Sequence, residues 1–257
     1  MDITIIYYTE NLLAEPLFTK CQKLLKKAAN GRPIVSVSHK PIDLGTNICI
    51  GVHKRSWLML YRQLFLGAKL AKTKYVAMAE HDCIYAEDHF SFKPPRDDTF
   101  YYNEYNRLVQ WTTKKHLEIK GMYSSYRAHG LGKDRRSWRR LALSQMLCNR
   151  ELLIDSLNKR LDMIDKDRKL LGIIANTSEF GYSKIKKVQK WAESGRPVYL
   201  KNMLEDLLEE EKYGIFRTKI PNLDIRHDGN FTGAKRGKQR TFDEPHWGKF
   251  EDVINSV

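Results

Sequence analysis

The stretch Tyr75-Val76-Ala77-Met78-Ala79-Glu80-His81-Asp82-Cys83-Ile84-Tyr85 constrains the fold of this chain more than any other. An apolar run of strand length, with no turn residue inside it, delivers Glu80, His81 and Asp82 at its C-terminal end. Ahead of it, Trp57, Leu60, Tyr61, Leu64, Phe65 and Ala68 recur at helical spacing, and Lys72-Thr73-Lys74 supplies a short polar turn. A helix feeding a strand that ends in acid is a unit of an open α/β sheet, whose ligands bind beyond the carboxyl ends of the strands. Carboxylates there can hold a divalent cation through hard oxygen ligands, and such a cation can clamp a diphosphate. Spacing alone fits equally a strand that ends in polar residues at the surface.

The rest of the chain agrees with an α/β reading. Ile3 to Tyr8 is a β-branched, apolar first strand, and Leu13, Leu17, Cys21, Leu24, Leu25 and Ala28 mark a helix over Leu12 to Ala29. Asn30-Gly31-Arg32-Pro33 stops that helix, and Ile34 to Ser38 is the second strand. This β-α-β order favours a parallel sheet. In such a sheet the residues closing the first strand, Tyr8, Thr9 and Glu10, are placed to line a nucleoside pocket, or equally to make an ordinary turn with a cap. Ser56 is suited to cap the next helix, and Lys54 or Arg55 just before it to reach a phosphate. Further on, Phe100 to Tyr102 reads as a strand, and Asn103, Tyr105, Asn106 and Trp111 suit a sugar or base pocket, the aromatics fitting core packing equally well.

Length and charge narrow the partners. A chain of 257 residues can bury a sizeable core in one α/β domain. No apolar run approaches the ~20 residues a membrane helix needs, and the first strand follows Met1-Asp2 directly, so a cytoplasmic protein without a membrane span is expected. Cys21, Cys49, Cys83 and Cys148 are far apart and read as free thiols. With 45 basic and 31 acidic residues the net charge is +14, more than a small anionic ligand explains. A polyanion such as DNA would use that charge through counterion release; a basic surface kept for solubility, or one facing an acidic membrane, is the plainer alternative. The densest basic region, Lys114 to Arg140, contains Arg127, Lys133, Arg135, Arg136, Arg139 and Arg140 interleaved with Tyr123, Tyr126 and Trp138. A second run holds Lys235, Arg236, Lys238 and Arg240. Arginines pair with phosphates and aromatic rings stack on exposed bases, so these segments are the nucleic-acid candidates.

Glu80-His81-Asp82 after an apolar strand resembles the variable DxD signature of GT-A glycosyltransferases. Asp224-Ile225-Arg226-His227-Asp228-Gly229-Asn230-Phe231-Thr232-Gly233 resembles the C-terminal histidine loop of that fold. Together with Ser144-Gln145, which on this likeness faces the acceptor, these islands are similar to small phage and metagenomic glycosyltransferases. The resemblance implies a GT-A-like (Rossmann-like) α/β fold: one domain with a mixed, mainly parallel sheet flanked by helices. Residues 1–110 would form the nucleotide-sugar half and 111–257 the acceptor half with the metal-histidine loop. It implies Mn2+ or Mg2+ on Asp82 and His227, with Glu80 and His81 toward the donor, and a nucleotide sugar, UDP-linked, as cofactor. The family's acid before a glycine-containing turn is matched by Glu179, which would take the proton from an acceptor hydroxyl in an inverting transfer. Glu205-Asp206 spells the acidic pair of many GT-A enzymes and makes Asp206 the rival base. The phage likeness and the charge point to a 5-hydroxymethylpyrimidine in DNA as acceptor, in the cytoplasm of an infected bacterium. A glycan, lipid or protein acceptor, or a non-catalytic nucleic-acid-binding protein on a degenerate transferase fold, are the alternatives.

Overall fold

The computed structural model describes residues 3–54, 56–111, 123–125, 142–176, 211–227, 241–242 and 245–257. Its strands are β1 (Ile3–Thr9), β2 (Ile34–Ser38), β3 (Thr46–Cys49), β4 (Tyr75–Glu80), β5 (Cys83–Ile84), β6 (Thr99–Asn103), β7 (Asn106–Gln110), β8 (Tyr123–Ser125), β9 (Met146–Asn149), β10 (Lys212–Phe216), β11 (Asn222–Arg226) and β12 (Thr241–Phe242). Its helices are α1 (Leu17–Ala29), α2 (Trp57–Leu70), α3 (Arg150–Asn176) and α4 (Phe250–Asn255). Among these, no helix is long and apolar enough to cross a membrane.

The main sheet runs β10-β6-β9-β4-β1-β2-β3, and only β9 lies antiparallel to its neighbours. Alternation along the strands builds two cores. Ile3, Ile5 and Tyr7 of β1, with Tyr75, Ala77 and Ala79 of β4, pack toward α1. Ile6 and Tyr8, with Val76 and Met78, pack toward α2 and α3. On that second side Gly67 lets α2 come down on β1, since a Cβ there would lie 2.4 Å from Ile6 Cγ2.

Sheet order fixes where a ligand can enter. From β1 the chain adds β2 and β3 on one side, then crosses to place β4 on the other. The carboxyl ends of β1 and β4 therefore flank a topological switch point, the crevice where open α/β sheets bind ligands. A second sheet, β12-β8-β7-β11-β5, shares this end of the molecule, because the chain turns at His81-Asp82 directly from β4 into β5. Its apolar face, Ile84, Val109, Leu223 and Ile225, is covered by residues of α1 and α4. Chain segments on both sides of residue 110 contribute to both sheets.

The structure departs from the sequence expectation in several places. The first helix begins at Leu17 rather than Leu12, because Pro16 disfavours helical backbone in the residue before it. The charged stretch Asp162 to Leu171 belongs to α3. Asn222 to Arg226, read as part of a loop, is a strand, and β10 before it was not anticipated.

A buried polar network joins the two sheets. The Asn222 amide nitrogen donates to Gln145 Oε1 (2.6 Å) and to His89 Nδ1 (2.9 Å), while its oxygen accepts from the Ala86 N–H (2.8 Å). His89 is fully buried, and burial holds its imidazole down at about 3. The folded state thus refuses a proton that the unfolded chain accepts below its ordinary value near 6.5. Between those two values stability falls as pH falls. From about pH 7.5 to about pH 5 the loss should approach ~2 kcal/mol. Urea unfolding at several pH values checks this, and His89→Gln should flatten that part of the profile.

Candidate metal centre

Strand parity aims the chemistry at the end of β4. Val76 and Met78 point toward α2 and α3, so Glu80 points there too, beside its register partner Tyr8 on β1. The Tyr8 hydroxyl donates to Glu80 Oε1, and the Glu80 backbone N–H donates to the Tyr85 hydroxyl (3.0 Å). Burial, then the nearby Asp82 charge, pushes the Glu80 carboxyl up to about 8 against the pull of the Tyr8 hydrogen bond. At neutral pH Glu80 is a neutral, hydrogen-bonded group rather than a second anion.

The turn that follows brings two distant segments together. The Ile225 N–H donates to the Asp82 carbonyl (2.7 Å), and Cys83 is in register with Asp224 in the β5–β11 pair. His227, one residue past β11, therefore arrives over the turn, with Nε2 3.5 Å from Asp82 Oδ2, an ion-pair distance. The His81 and His227 rings meet edge to face at 5.6 Å. Burial alone would raise the Asp82 carboxyl, but the His81 charge, the bond and charge of His227, and Arg226 outweigh it and hold Asp82 down at about 2. A carboxylate that is 5% exposed and still ionised is ready to take a cation.

Whether a divalent ion fits can be tested on the donor atoms. One ligand atom from each of His81, Asp82 and His227 lies within 4.8 Å of the others, and the same holds for Glu80, Asp82 and Cys83. Ligands about 2.1 Å from an ion stand at most about 4.2 Å apart, so small side-chain rotations close the first set around one. Two imidazoles and a carboxylate suit Mn2+ better than Mg2+, which prefers oxygen alone. The second set fits less well, since Glu80 holds its proton and burial pushes the Cys83 thiol well up.

Two further charged residues complete the site. Asp224 and Arg226 lie on the face of β11 that Asn222 occupies, and Arg226 Nη2 sits 3.2 Å from Asp224 Oδ2. Burial pushes the Asp224 carboxyl up to about 6, with Arg226 drawing it back and Asp82 adding to the rise. Neither was singled out in the sequence, although Asn-Leu-Asp-Ile-Arg alternates polar and apolar residues at the strand period and so carried the signal.

The remaining expectations divide by position. Tyr8 is buried with its hydroxyl on Glu80, and Thr9 Oγ1 accepts from the Asn11 N–H (2.9 Å). Glu10 is half-buried on the rim. Rim loops after β1 and β2 are tied together by the Lys40 N–H donating to Asn11 Oδ1 (2.9 Å). Ser56 caps α2, its hydroxyl accepting from the Met59 N–H (3.2 Å). Ser144 and Gln145, expected to face the acceptor, are buried, with Gln145 engaged by Asn222. Asn103 donates to Thr218 (2.9 Å), Tyr105 carries Arg217 over its ring at 4.0 Å, and Trp111 packs on Phe250. Outside the described residues lie Arg55, the acids Glu179 and Asp206, and all ten nucleic-acid candidates: Arg127, Lys133, Arg135, Arg136, Arg139, Arg140, Lys235, Arg236, Lys238 and Arg240.

No protein-family model matches the chain, and no curated protein matches it. Solved structures do. One is a glycosyltransferase involved in the glycosylation of the major capsid of PBCV-1, at 8% identity over 87% of this chain and 92% of that one, with a TM-score of 0.42. A second is S. aureus TarS 1–349 in complex with UDP-GlcNAc, at 10% identity over 92% of this chain and 62% of that one, with a TM-score of 0.46. A third is the glycosyltransferase GlyE of Streptococcus pneumoniae TIGR4, at 9% identity over 100% of this chain and 63% of that one, with a TM-score of 0.44. At identities and TM-scores this low the chemistry of this chain is read from its own side chains.

Proposed function

We propose that the chain is a metal-dependent glycosyltransferase that moves a sugar from a nucleotide sugar, UDP-linked, to a hydroxyl group. We further propose that this hydroxyl belongs to a 5-hydroxymethylpyrimidine base in DNA. The observation that carries the first part is the convergence of His81, Asp82 and His227 at the sheet's switch point, with Asp82 buried yet ionised. The second part is supported by the net charge of +14.

In this reading Asp82 and His227, with His81 beside them, hold Mn2+ or Mg2+, of which the donor set favours Mn2+. A bound cation of this kind supplies Lewis-acid stabilisation of a departing diphosphate. The protein's own groups keep the site in the right charge state. Arg226 offsets Asp224, and Glu80 keeps its proton and fixes Tyr8 and the end of β4, so that Asp82 remains the principal anion. Glu10, Lys54 and Arg55 belong to the donor side, Arg55 as the phosphate contact. Glu179, with Asp206 as the rival, takes the proton from the acceptor hydroxyl as it attacks the anomeric carbon. The basic segments around Arg127 to Arg140 and Lys235 to Arg240 hold the DNA backbone.

Mass spectrometry of nucleosides tests the proposal. DNA containing hydroxymethylcytosine or hydroxymethyluracil is incubated with the protein, Mn2+ and a panel of nucleotide sugars. A sugar-sized mass increment that disappears with EDTA is the expected result. Metal-dependent release of nucleoside diphosphate without any increment on DNA would keep the transferase and replace the acceptor. Silence in both assays would overturn the enzyme reading and favour a binding protein.

A further inference from the structure

Asn106 opens β7 and is 2% exposed, yet among the described residues neither its amide nitrogen nor its amide oxygen has a hydrogen-bond partner. Buried side-chain amides in folded proteins are nearly always paired, and leaving both a donor and an acceptor unpaired is a standing cost to the fold. Its buried neighbours show the contrast. The amides of Asn222 and Asn103 are both engaged. His89 Nε2 is also without a partner among the described residues, but the other ring nitrogen is engaged by Asn222 and the ring packs against Tyr85, Phe90 and Phe216.

Register says which way Asn106 faces. It is the partner of Asn222 in the parallel β7–β11 pair, and in-register neighbours share a sheet face, so Asn106 lies on the face that carries Asn222, Asp224 and Arg226. One step further along that face Leu108 stands beside Asp224, which is in turn beside Cys83, the residue after Asp82. Asp82 is level with Ile225 and hence with Val109, so three residues of strand and two strand spacings put the Asn106 backbone about 14 Å from that of Asp82. That separation, shortened by the length of the two side chains, matches a diphosphate held at the metal with one sugar ring beyond it.

We propose that the Asn106 carboxamide binds a pair of neighbouring hydroxyls on the transferred sugar, Nδ2 donating to one oxygen and Oδ1 accepting from the other. This rests on the glycosyltransferase reading and adds the residue that selects among sugars. An amide presents one donor and one acceptor side by side, which matches a vicinal diol and discriminates epimers in which one hydroxyl points away. The unpaired amide is then the cost that the free protein carries for a group satisfied only when donor is bound.

The test separates the sugar from the nucleotide. Calorimetric titrations with Mn2+ present compare UDP, UDP-glucose and UDP-galactose against the wild type, Asn106→Leu and Asn106→Asp. The expected result is unchanged UDP affinity in both variants, a loss of about 10–100-fold for the preferred nucleotide sugar, and a narrowed gap between the two sugars. The Asn106→Leu protein should melt no lower than the wild type, since an apolar side chain of similar size removes the unpaired groups. Asn106→Asp keeps the shape and the acceptor, and reads the same split if the leucine variant fails to fold. Equal affinities for nucleotide sugar across all three proteins would overturn the proposal and leave the amide holding an internal water. A wild type that binds neither UDP nor either sugar would instead overturn the transferase reading, and this inference with it.

Discussion

Asp82→Ala should lower sugar transfer by about 10³-fold or more, the loss that several kcal/mol of transition-state stabilisation implies. Asp82 is the ionised carboxylate of the candidate centre and the group common to both possible ligand sets. Among the described residues no other carboxylate replaces it, because Glu80 holds its proton and Asp224 is paired with Arg226. The informative comparison is Glu80→Gln, which should stay within about tenfold of wild type, since an amide reproduces a neutral carboxyl. The Tyr8 hydroxyl keeps its acceptor in that variant. Steady-state rates of nucleoside diphosphate release, with circular dichroism to show the variants folded, measure both. Equal damage from the two substitutions would mean that Glu80, not Asp82 alone, supplies charge to the metal.

Breaking the ion pair between Arg160 and Glu211 should be the most destabilising single change away from the site. Arg160 on α3 meets Glu211, just before β10, through two hydrogen bonds of 2.6 and 2.7 Å, and the side chains are 14% and 8% exposed. Ser156 and Tyr213 hydroxyls also donate to this carboxylate, each at 2.5 Å. Burial opposes the charge on both partners, but their mutual attraction prevails, holding the Glu211 carboxyl below its ordinary range and the Arg160 guanidinium above. Arg160→Leu leaves Glu211 buried without its cation, and should cost about 3–5 kcal/mol in urea unfolding. Replacing both residues with methionine should recover most of that loss, because the pair's own desolvation cost goes with it. A double variant as unstable as the single one would show that the hydroxyl contacts, rather than the charges, hold α3 to β10.

The main sheet was legible because its strands follow simple rules. Ile3 to Tyr8, but for Thr4, and Tyr75 to Ala79 are apolar, as strands covered on both faces must be, and the helix before β4 repeats at helical spacing. What the periodicity could not show is how far a segment belongs to tertiary rather than local structure. Asn222 to Arg226 reads as a loop when taken for its polar residues, yet its alternation is that of a strand whose polar face meets the site. Of the candidate site, Asp82 and His227 were named from resemblance, and the structure brings them within 3.5 Å. Asp224 and Arg226 were passed over because a carboxylate and a guanidinium two residues apart look like surface charge until the register with Cys83 buries Asp224 and leaves Arg226 half-buried beside it. Ser144 and Gln145 erred the other way, since polar side chains near a presumed acceptor cleft here serve a buried network.

Electron paramagnetic resonance of Mn2+ tests the central claim most directly, because free and protein-bound ion are distinguished without any choice of acceptor. Titrated in the presence of UDP, the wild type should bind one ion per chain, and Asp82→Ala and His227→Ala should each weaken that binding by at least the ~10–100-fold seen when even a metal's outer partners are removed. Binding curves for both variants that superimpose on the wild type would place the cation elsewhere and contradict the account.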